Sequence, residues 1–395
     1  MAFKRNIAGV AAAATLVTSE AIAGSLGPER VVDALRGQMA QHYDFVVTLQ
    51  SNTQRDQVLL KGAITAQNIV ELPILNGFAA TLSVEEAFRL ADIEGIEWVW
   101  YLHPDEAQLT RNVVQNLTHA LDQGALIANM SLGPPSGLYR KELDFDTPVA
   151  RTTRHFARQG RLAVAAIGNT GGTAPGFVNP WSTPPWVLSV GAWDHRSGTV
   201  WEHSSTGDPQ VPYTWPDVIA PGVNVIGPMT SAREKTPQER SFDEGNIRFR
   251  KSVPKEAWDK YTMQSGSSMA AAQVSNAAGQ VAFFLTAMIK EGDPNEGDRL
   301  FSISVGPERI TAHDNSIPRL TGRATSTAEG GMEYTYWMDQ PWKMIKQILV
   351  DTALPVADAA PWEVGAGLVD PDYIRAEFGK YGISKSQLMA AKVIE

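Results

Sequence analysis

The chain has 395 residues, of which 43% are hydrophobic and 19% charged, a composition typical of a globular protein with one large or two smaller domains. It contains no cysteine, which excludes disulfides, cysteine nucleophiles and thiolate metal sites. The formal net charge is -9 without a long basic run, which argues against nucleic acid as the main partner. The sequence contains no run of about 18 consecutive apolar residues, so no membrane span is predicted.

The first 23 residues have the pattern of a secretory signal peptide. Lys4 and Arg5 give a positive start, an alanine-rich apolar stretch follows, and small residues at 21 and 23 precede Gly24. The alternative is an amphipathic helix of a cytosolic protein. The pattern favours a signal peptide at 1–23, and therefore a secreted or periplasmic protein.

A small domain is predicted next, with elements in the order β-α-β-β-α-β. Strand-like runs cover 43–49, 69–75, 77–82 and 96–102. Ser83 and Glu86 have the spacing of a capping box and begin a helix that Gly95 ends. The order predicts an α+β domain with an open sheet and helices on one face.

The remaining chain alternates apolar strands with helices. Helices are predicted at 112–124, 148–159 and 268–289, and strands at 125–132, 161–167, 186–192 and 218–220. Continuous apolar strands of this kind indicate a mainly parallel sheet covered on both faces. The polar segments 229–260 and 291–336 are predicted to be surface loops.

Four blocks of this region resemble, in order, the subtilisin-like serine proteases (subtilases). They are Asn-Met-Ser-Leu-Gly at 129–133, Ala-Ala-Ile-Gly-Asn at 165–169, Asp-Val-Ile-Ala-Pro-Gly at 217–222 and Gly-Ser-Ser-Met-Ala at 266–270. Residues 41–106 resemble the inhibitory propeptide of the same family. The resemblance implies a three-layer α/β fold, with a propeptide-like domain at 24–109 and a subtilisin-like domain at 110–395.

The resemblance also implies site residues. Ser268 matches the nucleophile, Asn169 the oxyanion donor, and Ser131, Leu132 and Gly133 the edge that pairs with the substrate backbone. The chemistry is coherent, because a serine at the start of a buried helix has its amide aimed at developing negative charge. Taken alone, a serine before an alanine-rich helix is more often a cap.

The aspartate and histidine motifs of the family are absent. No Asp-Thr-Gly or Asp-Ser-Gly precedes 129, and His-Gly occurs nowhere. The sheet is therefore predicted to be truncated at its N-terminal strands. In subtilisin, loss of the histidine alone lowers turnover about a millionfold. His203 is a candidate substitute base, although a surface-loop histidine is the default interpretation.

We therefore expect a pseudoprotease with a binding or inhibitory role toward a peptide or protein. One alternative is a serine endopeptidase or hydrolase with residual activity through Ser268 and Asn169. Another is a deletion product or mistaken gene model with no selected function. The edge of the strand 125–132 is predicted to be covered by self-association or a partner strand.

No cofactor is expected from the sequence. Asp293, Glu296 and Asp298 form an acidic group that could hold calcium, but their spacing matches no EF-hand loop. The default interpretation of this group is solvated surface.

Overall fold

The computed structural model describes most of the chain, and the statements below concern only these residues. They are 37–136, 145–171, 175–229, 234–291, 299–305, 323–326, 332–337 and 341–371, with the single positions 35, 139 and 374. The predicted signal peptide and the acidic group of Asp293, Glu296 and Asp298 lie outside the described residues.

The N-terminal unit is a four-stranded antiparallel sheet with strand order β2-β3-β1-β4. Its elements are β1 His42–Leu49, α1 Arg55–Lys61, β2 Gln67–Leu72, β3 Gly77–Ser83, α2 Val84–Ala91 and β4 Ile96–Tyr101. The predicted element order is confirmed. Strand β2 ends at Leu72, earlier than predicted, because Pro73 has no N–H for the sheet and begins a short 3-10 helix.

The predicted capping box of α2 is present. Ser83 Oγ accepts from the Glu86 amide at 3.2 Å, and the Glu86 carboxylate accepts from the amides of Ser83 at 2.9 Å and Thr65 at 2.8 Å. Burial would raise the pKa of Glu86, but these hydrogen bonds to the carboxylate outweigh it and lower the pKa. The carboxylate thus ties the start of α2 to the segment before β2.

One long helix, α3 (Pro104–Asp122), follows the N-terminal sheet directly. The sequence predicted a start near 112, which is wrong, because Pro104 lies at the first turn and the imidazole of His103 accepts from the Asp105 amide at 3.2 Å. The domain boundary expected at 109/110 therefore falls inside this helix. Arg111, on the helix, forms an ion pair with Asp44 of β1 at 3.1 Å, so α3 also contacts the sheet it follows.

The second unit contains a mainly parallel sheet, as predicted. Strands β5 Ile127–Met130, β6 Leu162–Ala166, β7 Val187–Asp194 and β9 Val218–Pro221 are parallel, and the short β8 Thr199–Val200 is antiparallel to β7. Among the described strands, β5 lies at the edge and pairs only with β6. The first strand of this sheet in chain order is therefore an edge strand.

Helices cover both faces of this sheet, which gives the expected three-layer α/β fold. On one face, Ala163 and Ala165 of β6 pack with residues of α3 and of α4 (Pro148–Arg158). On the other, Leu162 and Val164 pack with α7 (Ser267–Glu291) and α8 (Pro341–Asp351). The alternation of buried side chains along β6 explains why its sequence is apolar throughout.

The two segments predicted to be loops contain regular structure, so that prediction is wrong for their described parts. The first segment contains α5 Pro237–Gly245 and α6 Ile247–Ser252, and the second contains β12 Arg299–Val305, β13 Arg323–Ser326 and nearly all of β14 Met332–Trp337. Strands β10 Val225–Pro228 and β11 Tyr261–Gln264 flank the first segment, and α9 Pro361–Val364 follows later in the chain. Thr236 caps α5, and Asp243 on that helix forms a fully buried ion pair with Lys235 at 2.6 Å. The high charge of these segments therefore does not indicate a lack of regular structure.

Within the ranges given above, no helix is both long and apolar enough to cross a membrane.

Candidate functional site

Asn169 lies just beyond the end of β6, where the chain turns sharply. Gly168 has φ +116°, a conformation that favours glycine, and a Cβ there would come within 2.5 Å of the Tyr139 ring. The turn leaves Ile167 buried and Asn169 exposed. A polar side chain is thus held at the carboxyl end of a central strand.

The side chain of Asn169 is oriented by the first residue of α7. Asn169 Oδ1 accepts from the Ser267 amide and lies within hydrogen-bond distance of Ser267 Oγ, both at 2.9 Å. Because the carbonyl oxygen is held in this way, the Nδ2 group can donate to another acceptor. Nδ2 lies next to Gly266, where a Cβ would approach it to 3.3 Å. The geometry suits donation to an anionic oxygen beside the helix start.

Ser268 is the second residue of α7 and is half-buried. The first amides of a helix have no partner within the helix, and the helix dipole favours negative charge at this end. The Asn169 side chain and the start of α7 meet through the Ser267 amide, which places Ser268 next to this junction. The nucleophile and oxyanion roles expected for Ser268 and Asn169 stay predictions.

The hydroxyl of Ser268 is bound to the end of β5. Ser268 Oγ donates to the main-chain oxygen of Ser131 at 3.2 Å, and Ser131 Oγ donates to the main-chain oxygen of Ser268 at 2.6 Å. A peptide carbonyl accepts a hydrogen bond but is not a base at neutral pH. The contact therefore orients the serine without activating it.

The polar contact between β5 and α7 includes one more side chain on each element. Asn129 Nδ2 donates to Ser131 Oγ at 2.9 Å, and Ser275 Oγ donates to Asn129 Oδ1 at 3.1 Å. Together with Ser131 and Ser268, these side chains tie the edge strand to the first three turns of α7.

A cavity of about 430 Å³ opens beside Ser268, between α7 and the antiparallel strands β10 and β11. Its polar lining residues are Ser131, Thr262, Gln264, Ser268, Gln273 and Asn276. Among the described residues that line it, none carries an ionisable side chain. As far as the described lining residues show, the space next to the hydroxyl of Ser268 is polar and carries no acid or base.

His203 lies in the loop after β8, with an exposed side chain. Its ring packs edge-on against Trp201, and Nε2 lies 3.5 Å from Glu202 Oε1. The main-chain oxygen of His203 accepts from the Gly171 amide at 2.9 Å, so its loop lies beside the segment that follows Asn169. His203 is not among the residues that line the cavity beside Ser268, and its role as a substitute base stays a prediction.

The predicted substrate edge, Ser131 to Gly133, is held by a residue that the sequence analysis missed. Asn179 is buried, and its Nδ2 donates to the main-chain oxygens of Leu132 at 3.0 Å and Ala166 at 2.8 Å. It therefore joins the ends of β5 and β6. Leu132 keeps its side chain 38% exposed. The Asn-Pro pair at 179–180 indicates a turn, but nothing local predicts these two acceptors.

Among the residues that the structure describes, no group of three or more histidine or acidic side chains has the geometry to hold a metal ion.

The chain is similar to proteins of one family. Residues 93–291, just over half of the chain, match the model of the Subtilase family. The chain is 27% identical over 173 residues to the serine protease AprX of Bacillus subtilis (strain 168), a match that covers 42% of this chain and 34% of AprX. It therefore spans about a third of the length of that relative.

Solved structures of subtilisin-like proteases are also similar to it. One is the prenylagaramide maturation protease PagA, with 20% identity, a TM-score of 0.40, and coverage of 71% of this chain and 72% of PagA. Another is MycP1 from Mycobacterium smegmatis, with 20% identity, a TM-score of 0.37, and coverage of 67% of this chain and 53% of MycP1.

Proposed function

The chain belongs to the subtilase family, and we propose that it is a catalytically impaired member that binds a peptide or protein instead of cutting it. The observation that carries this proposal is the partner of Ser268. Its hydroxyl donates to the Ser131 carbonyl, and no ionisable group lines the adjacent cavity among the described residues. Without a base, a serine hydroxyl is a poor nucleophile at neutral pH.

The surroundings of Ser268 favour binding over chemistry. Asn169 Oδ1 is held by the Ser267 amide, which leaves Nδ2 beside Gly266 to donate to an oxygen atom, and the segment Ser131 to Gly133 carries an exposed leucine. Donors of this kind bind a peptide carbonyl as well as an oxyanion. The retained groups therefore support recognition of an extended peptide.

A fluorophosphonate probe tests the proposal, because it reacts with activated serines. We expect no stoichiometric adduct on the folded chain by intact mass, with folding verified by circular dichroism. The alternative, a hydrolase with residual activity, is favoured by the retention of Asn169 beside the helix start. It predicts an adduct on Ser268 that Ser268→Ala abolishes, and this result would overturn the impaired-enzyme proposal.

We further propose that the N-terminal unit is a propeptide-like domain that stays attached in a secreted or periplasmic protein. The segment in which separation would occur, near 109, lies inside α3. Proteases cleave extended segments, and a helix does not fit such a cleft. Intact mass of the exported protein should give an N-terminus near Gly24. A form beginning near Thr110, made in a host without other proteases, would contradict this.

A further inference from the structure

The outer edge of β5 carries unused backbone groups. The main-chain oxygen of Leu126 accepts from the Leu162 amide of β6 at 3.0 Å, so residue 126 points its backbone groups toward β6. Because backbone direction alternates along a strand, Ile127 and Asn129 point theirs away from β6. Among the described residues no strand pairs with that side.

This edge lacks the features that keep edge strands apart. Segment 125–132 contains no charged residue and no proline, which are the usual means of blocking edge pairing. Leu126 and Leu132, which flank the strand, are 47% and 38% exposed. Both are even-numbered, so they project from the same face of β5.

The two leucines are spaced symmetrically about Asn129. We propose that a second copy of this chain pairs antiparallel with β5, with Asn129 opposite its own counterpart across a twofold axis. In this register, Leu126 of each copy lies opposite Leu132 of the other. The pairing rests on the proposed binding role of the chain and identifies its partner.

The backbone directions agree with this register. Asn129 points its N–H and C=O outward, as a residue in a hydrogen-bonded antiparallel pair must. Leu126 and Leu132 then fall at a non-hydrogen-bonded pair, where opposing side chains lie closest. A shift by two residues would keep the hydrogen bonds but separate the leucines, so the symmetric register is the one that buries both.

The pairing would also cover the site beside Ser268. In the same register, Ile127 of the second copy lies opposite Ser131, whose carbonyl oxygen already accepts from Ser268 Oγ and has a second lone pair to offer. The second strand would therefore lie against the residue that binds the Ser268 hydroxyl.

Sedimentation equilibrium of the full chain tests the pairing. We expect a mass of about twice 42.9 kDa, and at least tenfold weaker association for Leu126→Lys. Leu60→Lys is the matched control, because Leu60 is an 82% exposed leucine on α1, far from β5 in the chain, and should leave association unchanged. The double variant Leu126→Lys/Leu132→Glu should restore association, more strongly at low salt, because the register places the new charges opposite each other.

Hydrogen exchange tests whether the outer edge of β5 forms the contact between the two copies. In the dimer the amides of Ile127 and Asn129 should be protected, and they should exchange faster in Leu126→Lys while α1 and β6 stay protected. Three results would overturn the proposal. They are a monomeric chain, a dimer in which both amides exchange fast, and equal effects of Leu126→Lys and Leu60→Lys on association. None of these outcomes depends on whether Ser268 reacts with a probe, so the failure of either proposal is distinguishable.

Discussion

Ser268 and Ser131 bind each other reciprocally, each side chain donating to the main-chain oxygen of the other, at 3.2 Å and 2.6 Å. One residue lies in the first turn of the long helix α7 and the other follows the edge strand β5. The pair therefore fixes the helix start relative to the sheet, which is a structural role for the serine that was predicted to match the nucleophile.

Replacing Ser131 should destabilise this junction. Ser131→Ala removes the hydroxyl that donates to Ser268 and accepts from Asn129, and we expect a loss of about 1 kcal/mol in the free energy of unfolding. Urea denaturation measures it. Ser275→Ala, which loses a single exposed hydrogen bond, should cost less than about 0.5 kcal/mol. Equal losses of unfolding free energy in the two variants would show that the reciprocal pair of Ser131 and Ser268 does not add to stability.

Asn169 should tolerate aspartate better than alanine. Asn169→Ala leaves the Ser267 amide and the buried Ser267 hydroxyl without this acceptor, which we expect to cost about 1–3 kcal/mol. Asn169→Asp keeps an oxygen for Ser267 and should retain most of the stability while losing the Nδ2 donor. Thermal denaturation of the two variants distinguishes these effects. If aspartate cost as much as alanine, the anchoring role of Oδ1 would be excluded.

The sequence predicts elements well where local signals and long-range packing agree. The capping box of Ser83 and Glu86 marks the start of α2 correctly, and the helix predicted from 148 begins there, after Thr147, whose side chain accepts from the Ala150 amide. Both signals are local hydrogen bonds that depend only on residue spacing. The apolar runs of β6 and β7 were equally clear, because they are buried on both faces.

Other features depend on contacts that the sequence does not display. The start of α3 was missed because a histidine, His103, acts as its cap and Pro104 was not recognised as the first helical residue. Asn179 was missed because its acceptors lie at the ends of two strands, 47 and 13 residues away. The candidate site was predicted only because its blocks resemble those of a family, since neither Ser268 nor Asn169 is distinctive alone.

A buried ion pair that the sequence analysis also missed should be important for stability. Lys346 of α8 and Asp217 before β9 lie 2.8 Å apart, with side chains 1% and 3% exposed. Lys346→Met would leave the buried carboxylate of Asp217 without its cation, at a cost of about 3–5 kcal/mol. The double variant Lys346→Met/Asp217→Asn should cost clearly less than the sum of the single variants. Additive costs in urea denaturation would contradict a coupled pair.

The carboxylate of Glu86 should make the stability of the folded chain depend on pH. Hydrogen bonds lower its pKa below the ordinary value of 4.5, so the ionised form stabilises the folded chain above that pH, and this contribution is lost as pH falls below it. Glu86→Gln should therefore be less stable than the native chain at pH 7, with a difference that shrinks below about pH 4.5. Glu85→Gln, on the exposed side of the same turn, is the control. A difference independent of pH would reject the assignment.

The central claim is that no base activates Ser268, and the pH dependence of its reaction tests this most directly. The rate of modification of Ser268 by a fluorophosphonate would be measured by intact mass between pH 5 and 9, for the native chain and for His203→Gln. The account predicts a rate near that of an unactivated serine, the same in both proteins, without a titration near the usual histidine pKa of about 6.5. A fast reaction that rises with a midpoint near that value and is lost in His203→Gln would contradict it.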